Sequence, residues 1–255
     1  MTQLTLLTKI YNSHQVGQLD AILQGFSEGL DVKTFFAGIL AGKWVLVEVS
    51  GEDEAVVTKL LERDIGFCPI HFANVKKFSA LKGFVTGFKQ SEQELQIDVG
   101  VVRPALVSAS IPLKRLQANF ADGREVSLQH ISELWGFCEN LPLCLKVLNV
   151  NVDKNSIECE FEDAQIRKLQ SWKQSLLDRL LVIGASKIEV DAAVEQAGLR
   201  RDIIEVEPLG IFEHALVCKL GTDAAGMIGI IGRRMRKAKF VVFNPKRIYQ
   251  EARSL

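Results

Sequence analysis

The order of predicted elements in residues 180–243 constrains the fold more than any other feature of the chain. Patterns typical of strands and helices follow one another there as strand, helix, strand, strand, helix, strand. The six segments are 180–183, 187–197, 203–206, 215–220, 224–235 and 238–243. This βαββαβ order is typical of a ferredoxin-like domain, in which two helices cover one face of an antiparallel sheet and leave the other face available for contacts.

Residues 74–163 show a different pattern, with short strands separated by turn signals. The strand-like segments are 81–88, 95–99, 106–111, 143–150 and 156–161. A helical stretch at 127–137 falls between the third and fourth strands, which is where an OB-fold inserts its helix. We therefore predict an OB-like five-stranded β-barrel.

The remaining segments complete a multidomain α+β chain. A length of 255 residues exceeds the usual size of one domain. Residues 1–73 predict a small N-terminal α/β unit of βαβα order, and residues 164–179 predict an amphipathic linker helix. The predicted order is thus the unit at 1–73, the barrel at 74–163, the linker at 164–179 and the ferredoxin-like domain at 180–255.

Charge is sorted along the chain, although its total is zero. The last thirty residues hold eight lysines and arginines against one acid, whereas residues 1–72 hold five against nine. The cations that are candidates for phosphate contacts are Arg233, Arg234, Arg236, Lys237, Lys239, Lys246 and Arg247. Such a basic region attracts polyanions, and it predicts binding that weakens with salt and selects little for sequence.

Two further features favour nucleic-acid binding. Gly229 and Gly232 have the GxxG spacing with which KH domains bring backbone close to nucleic acid. The alternative is that these glycines let a helix pack closely against the sheet. In the barrel, Phe84 and Phe88 are flanked by Lys82 and Lys89, as stacking positions on an OB face would be. The alternative is that both phenylalanines fill the barrel core.

Two other classes of function stay open. The basic region also suits a protein-interaction or assembly factor that docks on an acidic partner, such as a component of the transcription or translation machinery. The turn at 221–226 lies between a strand and a helix, as the ligand-binding turn of ACT-like amino-acid sensors does. Sensing a small zwitterion, however, gives no reason for the cations that follow this turn.

Catalysis, metal binding and membrane insertion find no support in the sequence. The nucleophile elbow, Walker loop, zinc-protease and dinucleotide signatures are absent, so we predict no catalytic residue and no enzymatic activity. The five cysteines form no Cys-x-x-Cys pair and the four histidines have no metal-ligand spacing, so we expect buried thiols and neither a metal nor a cofactor. No apolar run reaches the ~18 residues of a membrane span and no signal peptide is recognised, which favours the cytoplasm.

Several short motifs occur together in this chain. Among them are Ile111-Pro-Leu113, Leu141-Pro-Leu143, Glu207-Pro-Leu-Gly210 and Cys218-Lys-Leu-Gly-Thr-Asp-Ala-Ala-Gly226. With them, residues 80–250 resemble an archaeal family of conserved, uncharacterised proteins, a domain of unknown function with an OB-like middle and an α/β C-terminal domain. The resemblance implies no catalytic residue. Ala225 departs from the family's Gly-Thr-Asp-Ala-Pro-Gly motif, in which proline would lock the turn.

The sequence as a whole predicts a cytoplasmic, non-enzymatic nucleic-acid-binding protein. Its expected partner is RNA or a ribonucleoprotein associated with translation or transcription. Barrel aromatics would stack on unpaired bases while the C-terminal cations hold phosphates, so that two modules form one composite surface.

Overall fold

The computed structural model describes residues 1–87 and 92–254, and the chain forms two compact units. Unit 1 comprises Met1–Val75 and Val99–Val107, and unit 2 comprises Lys76–Asp98 and Ser108–Leu255. The chain therefore passes from unit 1 to unit 2, returns for residues 99–107, and then stays in unit 2.

Unit 1 is built on a three-stranded antiparallel sheet and two helices. Its elements are β1 (Thr2–Lys9), α1 (His14–Ser27), β2 (Val32–Ile39), β3 (Trp44–Gly51) and α2 (Glu54–Asp64). The strand order is β1-β3-β2. Trp44, Val47 and Val49 on the central strand are buried, as are Leu23 of α1 and Leu61 of α2. One core between the sheet and its helices follows from this.

The βαβα prediction for this region omitted β2. Val32 and Thr34 of β2 face inward and alternate with exposed Lys33 and Phe35, as expected for a strand with one buried face. The alternation continues past a bulge between Phe36 and Gly38, but the inward positions there are only half-buried. The sequence does not show this strand because a buried position holds the polar Thr34, while the apolar Phe35 and Ile39 are exposed.

A closed five-stranded barrel lies mostly in unit 2, while residues 99–103 of its second strand and Val107 of its third are assigned to unit 1. The barrel strands are β5 (Ala80–Val85), β6 (Glu94–Arg103), β7 (Val107–Pro112), β8 (Pro142–Asn151) and β9 (Ser156–Phe161). They pair in the order β6-β5-β8-β9-β7, and a pairing of β6 with β7 closes the ring. The β7–β9 pair is parallel, and α3 (Leu113–Phe120) and α4 (Leu128–Trp135) lie between the third and fourth strands. The predicted OB-like order is confirmed.

One barrel strand is buried on both faces. Residues 97–101 of β6 are all buried, so the alternation of a half-exposed strand is lost. Within unit 1, β4 (Ile70–His71) pairs with β6 at Val101. Gly100 has φ +76°, and a Cβ there would lie 2.5 Å from Sγ of Cys68. An OB-fold commonly offers this second strand to oligonucleotides, but here the strand presents no exposed face over these residues.

The C-terminal part of unit 2 has the predicted ferredoxin-like order. After α5 (Asp163–Gln174) come β10 (Arg179–Ile183), α6 (Lys187–Gln196), β11 (Ile203–Pro208), β12 (Glu213–Cys218), α7 (Ala224–Ile231), β13 (Lys239–Phe243) and α8 (Pro245–Ser254). The sheet is antiparallel with the order β11-β12-β10-β13. Leu180 and Val182 of β10 pack with Val190 of α6 and Ile231 of α7 in one hydrophobic core. The α+β multidomain prediction is confirmed.

The second face of this sheet is covered as well. Phe243 lies with its ring centroid 5.4 Å from that of Trp172 in α5 and 6.2 Å from that of Trp135 in α4. A Cβ on Gly136 would lie 3.1 Å from Cδ1 of Leu181. Every residue of β10 and β12 is buried. The expectation of a free sheet face is therefore wrong, because α4, α5 and the turn after α4 occupy that face.

Candidate nucleic-acid interface

The turn between α7 and β13 carries most of the predicted cations. Helix α7 ends at Ile231, and Met235 in the turn is buried in the domain core. The buried side chains of Ile231 and Met235 anchor the turn to the core, and Arg233, Arg236 and Lys237 of the same turn are exposed to solvent. Within the described part of the chain, no carboxylate forms an ion pair with any of the three. Their charge is therefore available to an anionic partner.

Arg234 has a structural role in the same turn. Its Nη1 donates to the carbonyl oxygen of Ile230 at 3.2 Å, and its Nη2 donates to that of Gln196 at 2.8 Å. Gln196 is the last residue of α6, so the guanidinium ties α7 to the carbonyl end of α6, where a cation is favoured. This arginine fixes the turn that presents its three neighbours.

The GxxG pair does not form a phosphate-binding loop. Gly229 lies inside α7, exposed, and a Cβ there would meet nothing within 4 Å. Gly232 ends the helix, and its N–H donates to the carbonyl of Ile228 at 2.9 Å. A Cβ on Gly232 would lie 2.7 Å from that same oxygen. Close packing at the helix end therefore explains Gly232, and its amide is already used.

A second group of cations lies at the other end of β13. This second group consists of Lys246 and Arg247 in the first turn of α8, whereas Lys239 opens the strand beside the first group and lies 3.9 Å from Oε2 of Glu139. Lys246 and Arg247 are exposed, and among residues 1–87 and 92–254 no carboxylate lies within ion-pair distance of either, although Asp178 interacts with the charge of Lys246 at longer range. Four residue steps separate the ends of β13, or about 13 Å at ~3.3 Å per residue. The structure thus arranges the basic residues as two groups that flank one strand.

Of the four barrel residues of the predicted site, the structure describes Lys82 and Phe84. Lys82 lies half-buried on β5, whereas Phe84 on the same strand is fully buried. Phe84 therefore fills the barrel and presents no ring for stacking. Phe88 and Lys89 lie outside the described residues.

The turn at 221–226 is closed by its own side chain. Oδ1 of Asp223 accepts from the N–H of Ala225 at 3.0 Å, and Oδ2 accepts from the N–H of Gly226 at 3.2 Å. Asp223 therefore caps α7 and occupies the amides that a small anion would need. Alanine at position 225 supplies one of these N–H donors, which proline could not do.

Sequence reasoning missed a groove between the end of α5 and α8. The groove has a volume of about 420 Å³ and is lined by Gln174, Leu176, Lys246, Tyr249 and Gln250. Nζ of Lys173 lies 5.2 Å from the centroid of the Tyr249 ring. The sequence shows only that a tyrosine follows two cations within one helical turn in 246–249, and it does not show that α5 lies beside them.

Burial disfavours the thiolate form of three cysteines. Burial raises the pKa of Cys138 and Cys159 to about 12 and that of Cys218 to about 11, so these thiols stay protonated at neutral pH. Among the described residues, no cluster of His, Cys, Asp or Glu side chains is suited to hold a metal ion. In the same residues, no helix is long and apolar enough to cross a membrane.

The fold and surface together define an α+β multidomain protein with an OB-like barrel and a basic ferredoxin-like domain. Residues 177–243 match the DUF2110 C-terminal domain, a domain of unknown function. The resemblance to an uncharacterised family is confirmed over this segment, which covers all four strands of the C-terminal sheet. None of the curated proteins matches the chain significantly.

Two solved structures show distant likeness. An uncharacterised protein from Methanocaldococcus jannaschii shares 12% identity over 35% of this chain and 95% of its own, with a TM-score of 0.23. A complex of a/eIF2alpha, aDim2p and rRNA from Pyrococcus horikoshii shares 13% identity over 49% of this chain, with a TM-score of 0.27. That match spans 64% of the second chain, which is less than two thirds of its length. TM-scores of this size carry no conclusion about the present chain.

Proposed function

We propose that this protein binds nucleic acid without catalysing a reaction, and that its partner is RNA or a ribonucleoprotein. The observation that carries the proposal is a set of exposed cations that have no ion-pair partner within the described residues: Arg233, Arg236, Lys237, Lys246 and Arg247. Unpaired cations held on folded turns and helices keep their full charge for phosphate groups.

The position of these cations argues for contact through a turn and a helix. Both surfaces that such folds commonly use are covered here: the second strand of the barrel and the second face of the ferredoxin-like sheet. Binding would therefore rely on phosphate contacts from the α7–β13 turn and from α8. Such contacts orient a nucleic acid but read little of its sequence.

The test is binding of a labelled single-stranded RNA, followed by fluorescence anisotropy over a range of salt concentrations. We expect the triple variant R233Q/R236Q/K237Q to bind about tenfold more weakly or worse. We expect its slope of log affinity against log salt to fall by about 2, at ~0.7 per lost phosphate contact. The control K59Q/K114Q/K154Q removes the same charge from exposed lysines elsewhere and should bind as the wild type does.

Two results would contradict the proposal. Wild-type affinity that is independent of salt would exclude phosphate contacts as its source. A partner protein captured equally well before and after nuclease digestion, with no binding of purified RNA, would assign the cations to an acidic protein surface.

A further inference from the structure

We propose that the groove between α5 and α8 receives one unpaired base of a single-stranded RNA, stacked on Tyr249. This inference rests on the proposed function and adds a ligand site to it. The groove lies next to the second group of cations, because Lys246 belongs both to its lining and to that group. A single-stranded RNA whose phosphates contact Lys246 and Arg247 would bring one of its bases to the groove.

The Tyr249 ring is held in place before any ligand arrives. The ammonium group of Lys173 lies 5.2 Å from the Tyr249 centroid and 5.9 Å from the Trp135 centroid, so one cation contacts two rings. Helix α8, which carries Tyr249, is anchored by the neighbouring Ile248, a residue that is buried. A ring that is already ordered loses little entropy when it stacks on a base.

Leu176 gives the groove an apolar wall. It follows the C-cap of α5 with φ +57°, and its N–H donates to the carbonyl oxygen of Lys173 at 3.4 Å, so its left-handed backbone ends the helix. Its side chain is 45% exposed and faces the groove as apolar surface. Together, Leu176 and Tyr249 supply apolar surface for a flat, uncharged ring.

The polar groups at the groove match the other parts of a nucleotide. Lys246 is exposed and forms no close ion pair with the described residues, which suits a phosphate, and Arg247 is its neighbour on α8. Gln174 brings an amide group that can both donate to and accept from a base edge. A groove with cations, an aromatic ring and an amide favours an unpaired base over an acidic peptide. The nucleotide would contact all of these groups, whereas the peptide would contact the cations and not the ring.

The experiment compares single-stranded and duplex RNA of equal length. We expect Y249A to weaken single-strand binding about tenfold and to leave duplex binding unchanged, because paired bases cannot enter the groove. Y249F keeps the ring and should bind as the wild type does. L176D removes the apolar wall at an exposed position and should weaken single-strand binding in the same selective way.

The outcomes separate this inference from the proposed function. If Y249A and L176D bind single strands as the wild type does while R233Q/R236Q/K237Q binds weakly, the base site is overturned and the basic surface stands. If the wild type binds neither RNA, the proposed function fails with it. If a polyglutamate peptide binds as tightly as RNA and also loses affinity in Y249A, the groove is a site for acidic peptides and the base assignment is overturned.

Discussion

In the N-terminal sheet the strands lie in the order β2-β3-β1, and in the C-terminal sheet they lie in the order β11-β12-β10-β13. In each sheet a helix follows the first strand and another follows the third. The C-terminal sheet has a fourth strand, β13, that pairs with β10 along five residues. At the corresponding edge of the N-terminal sheet, β1 makes a bridge between Leu6 and Phe67. The exposed cations flank β13, so the added strand is also the element that positions the charge.

The two sheets also differ in what covers their second face. In the C-terminal sheet, Trp135, Trp172 and the turn at Gly136 pack on that face and bury the central strands completely. In the N-terminal sheet, Phe35 is 42% exposed and Ile39 is 50% exposed on strand β2. The same strand order therefore supports a sheet packed on both sides in one domain and a sheet with a partly open edge strand in the other.

The largest expected effect is the loss of an aromatic side chain from β13. Phe243 is fully buried between the sheet and the two tryptophans, so F243A should lower the free energy of unfolding of its domain by about 3–5 kcal/mol. F35A, at the half-exposed position on β2, should lower it by less than about 1 kcal/mol. Urea unfolding followed by tryptophan fluorescence measures both. Equal losses would refute the difference in packing.

Acid should act on the C-terminal sheet before the N-terminal one. His214 is buried on β12, and burial, with the nearby Lys187, lowers its pKa to about 4. The folded protein favours the neutral imidazole of His214. Above pH ~6.5 this histidine is neutral in both the folded and the unfolded chain, and the protein has its full stability. As the pH falls from ~6.5 towards 4, protonation favours the unfolded chain and lowers the free energy of unfolding by up to about 3 kcal/mol. His14 and His71 of unit 1 are exposed. Stability curves between pH 7 and 4 should show this slope in the wild type and lose it in H214Q, and a slope that persists in H214Q would exclude His214 as its origin.

A methyl group added at Gly136 tests whether the second face is as closely packed as described. Gly136 has φ +72°, and a Cβ added there would lie 3.1 Å from Cδ1 of Leu181. Gly123 has φ +78°, and a Cβ added there would meet nothing within 4 Å. Both alanine variants carry the left-handed strain of about 1 kcal/mol. G136A should cost about 1 kcal/mol more than G123A, because Leu181 must move as well. Thermal or urea unfolding would show matching losses if the contact at Gly136 were loose.

The smallest expected effect separates the two roles of the basic turn. R234A removes two hydrogen bonds to helix carbonyls and should lower the free energy of unfolding by about 1 kcal/mol or less. R233A should leave stability within about 0.5 kcal/mol and weaken RNA binding instead. Parallel unfolding and anisotropy measurements distinguish them. The reverse assignment of effects would mean that Arg233 supports the turn and that Arg234 contacts the ligand.

Local patterns predicted the succession of strands and helices along the chain in both the barrel and the C-terminal domain. Each strand there is bounded by turn signals, and each helix is bounded by a cap or a glycine. These patterns did not predict that residues 97–101 of β6 and the second face of the C-terminal sheet are covered. Coverage depends on partners far along the chain, such as Cys68 against Gly100 and Trp172 against Phe243. The burial of Phe84 has the same cause, since Gly83, Phe84 and Val85 are all buried and no period-two pattern marks which residues face outward.

The candidate site divides in the same way. The clustering of cations at 233–237 and 246–247 is visible in the sequence. Whether these cations bind nucleic acid stays a prediction. Arg234 could not be distinguished from its neighbours, because its bond to Gln196 joins residues 38 positions apart. The groove at Tyr249 depends on α5 and α8 lying side by side, which no local pattern encodes.

The length of β13 also sets a minimum length for a ligand that contacts the cations on both sides of this strand. Its ends are about 13 Å apart, and neighbouring phosphates of a stacked strand advance ~3.4 Å along the axis. An oligonucleotide that runs along β13 must therefore extend over about four nucleotides to pass from Lys239 at one end of the strand to Phe243 at the other. Dinucleotides are too short to do so, and affinity should rise stepwise once an oligomer exceeds that length.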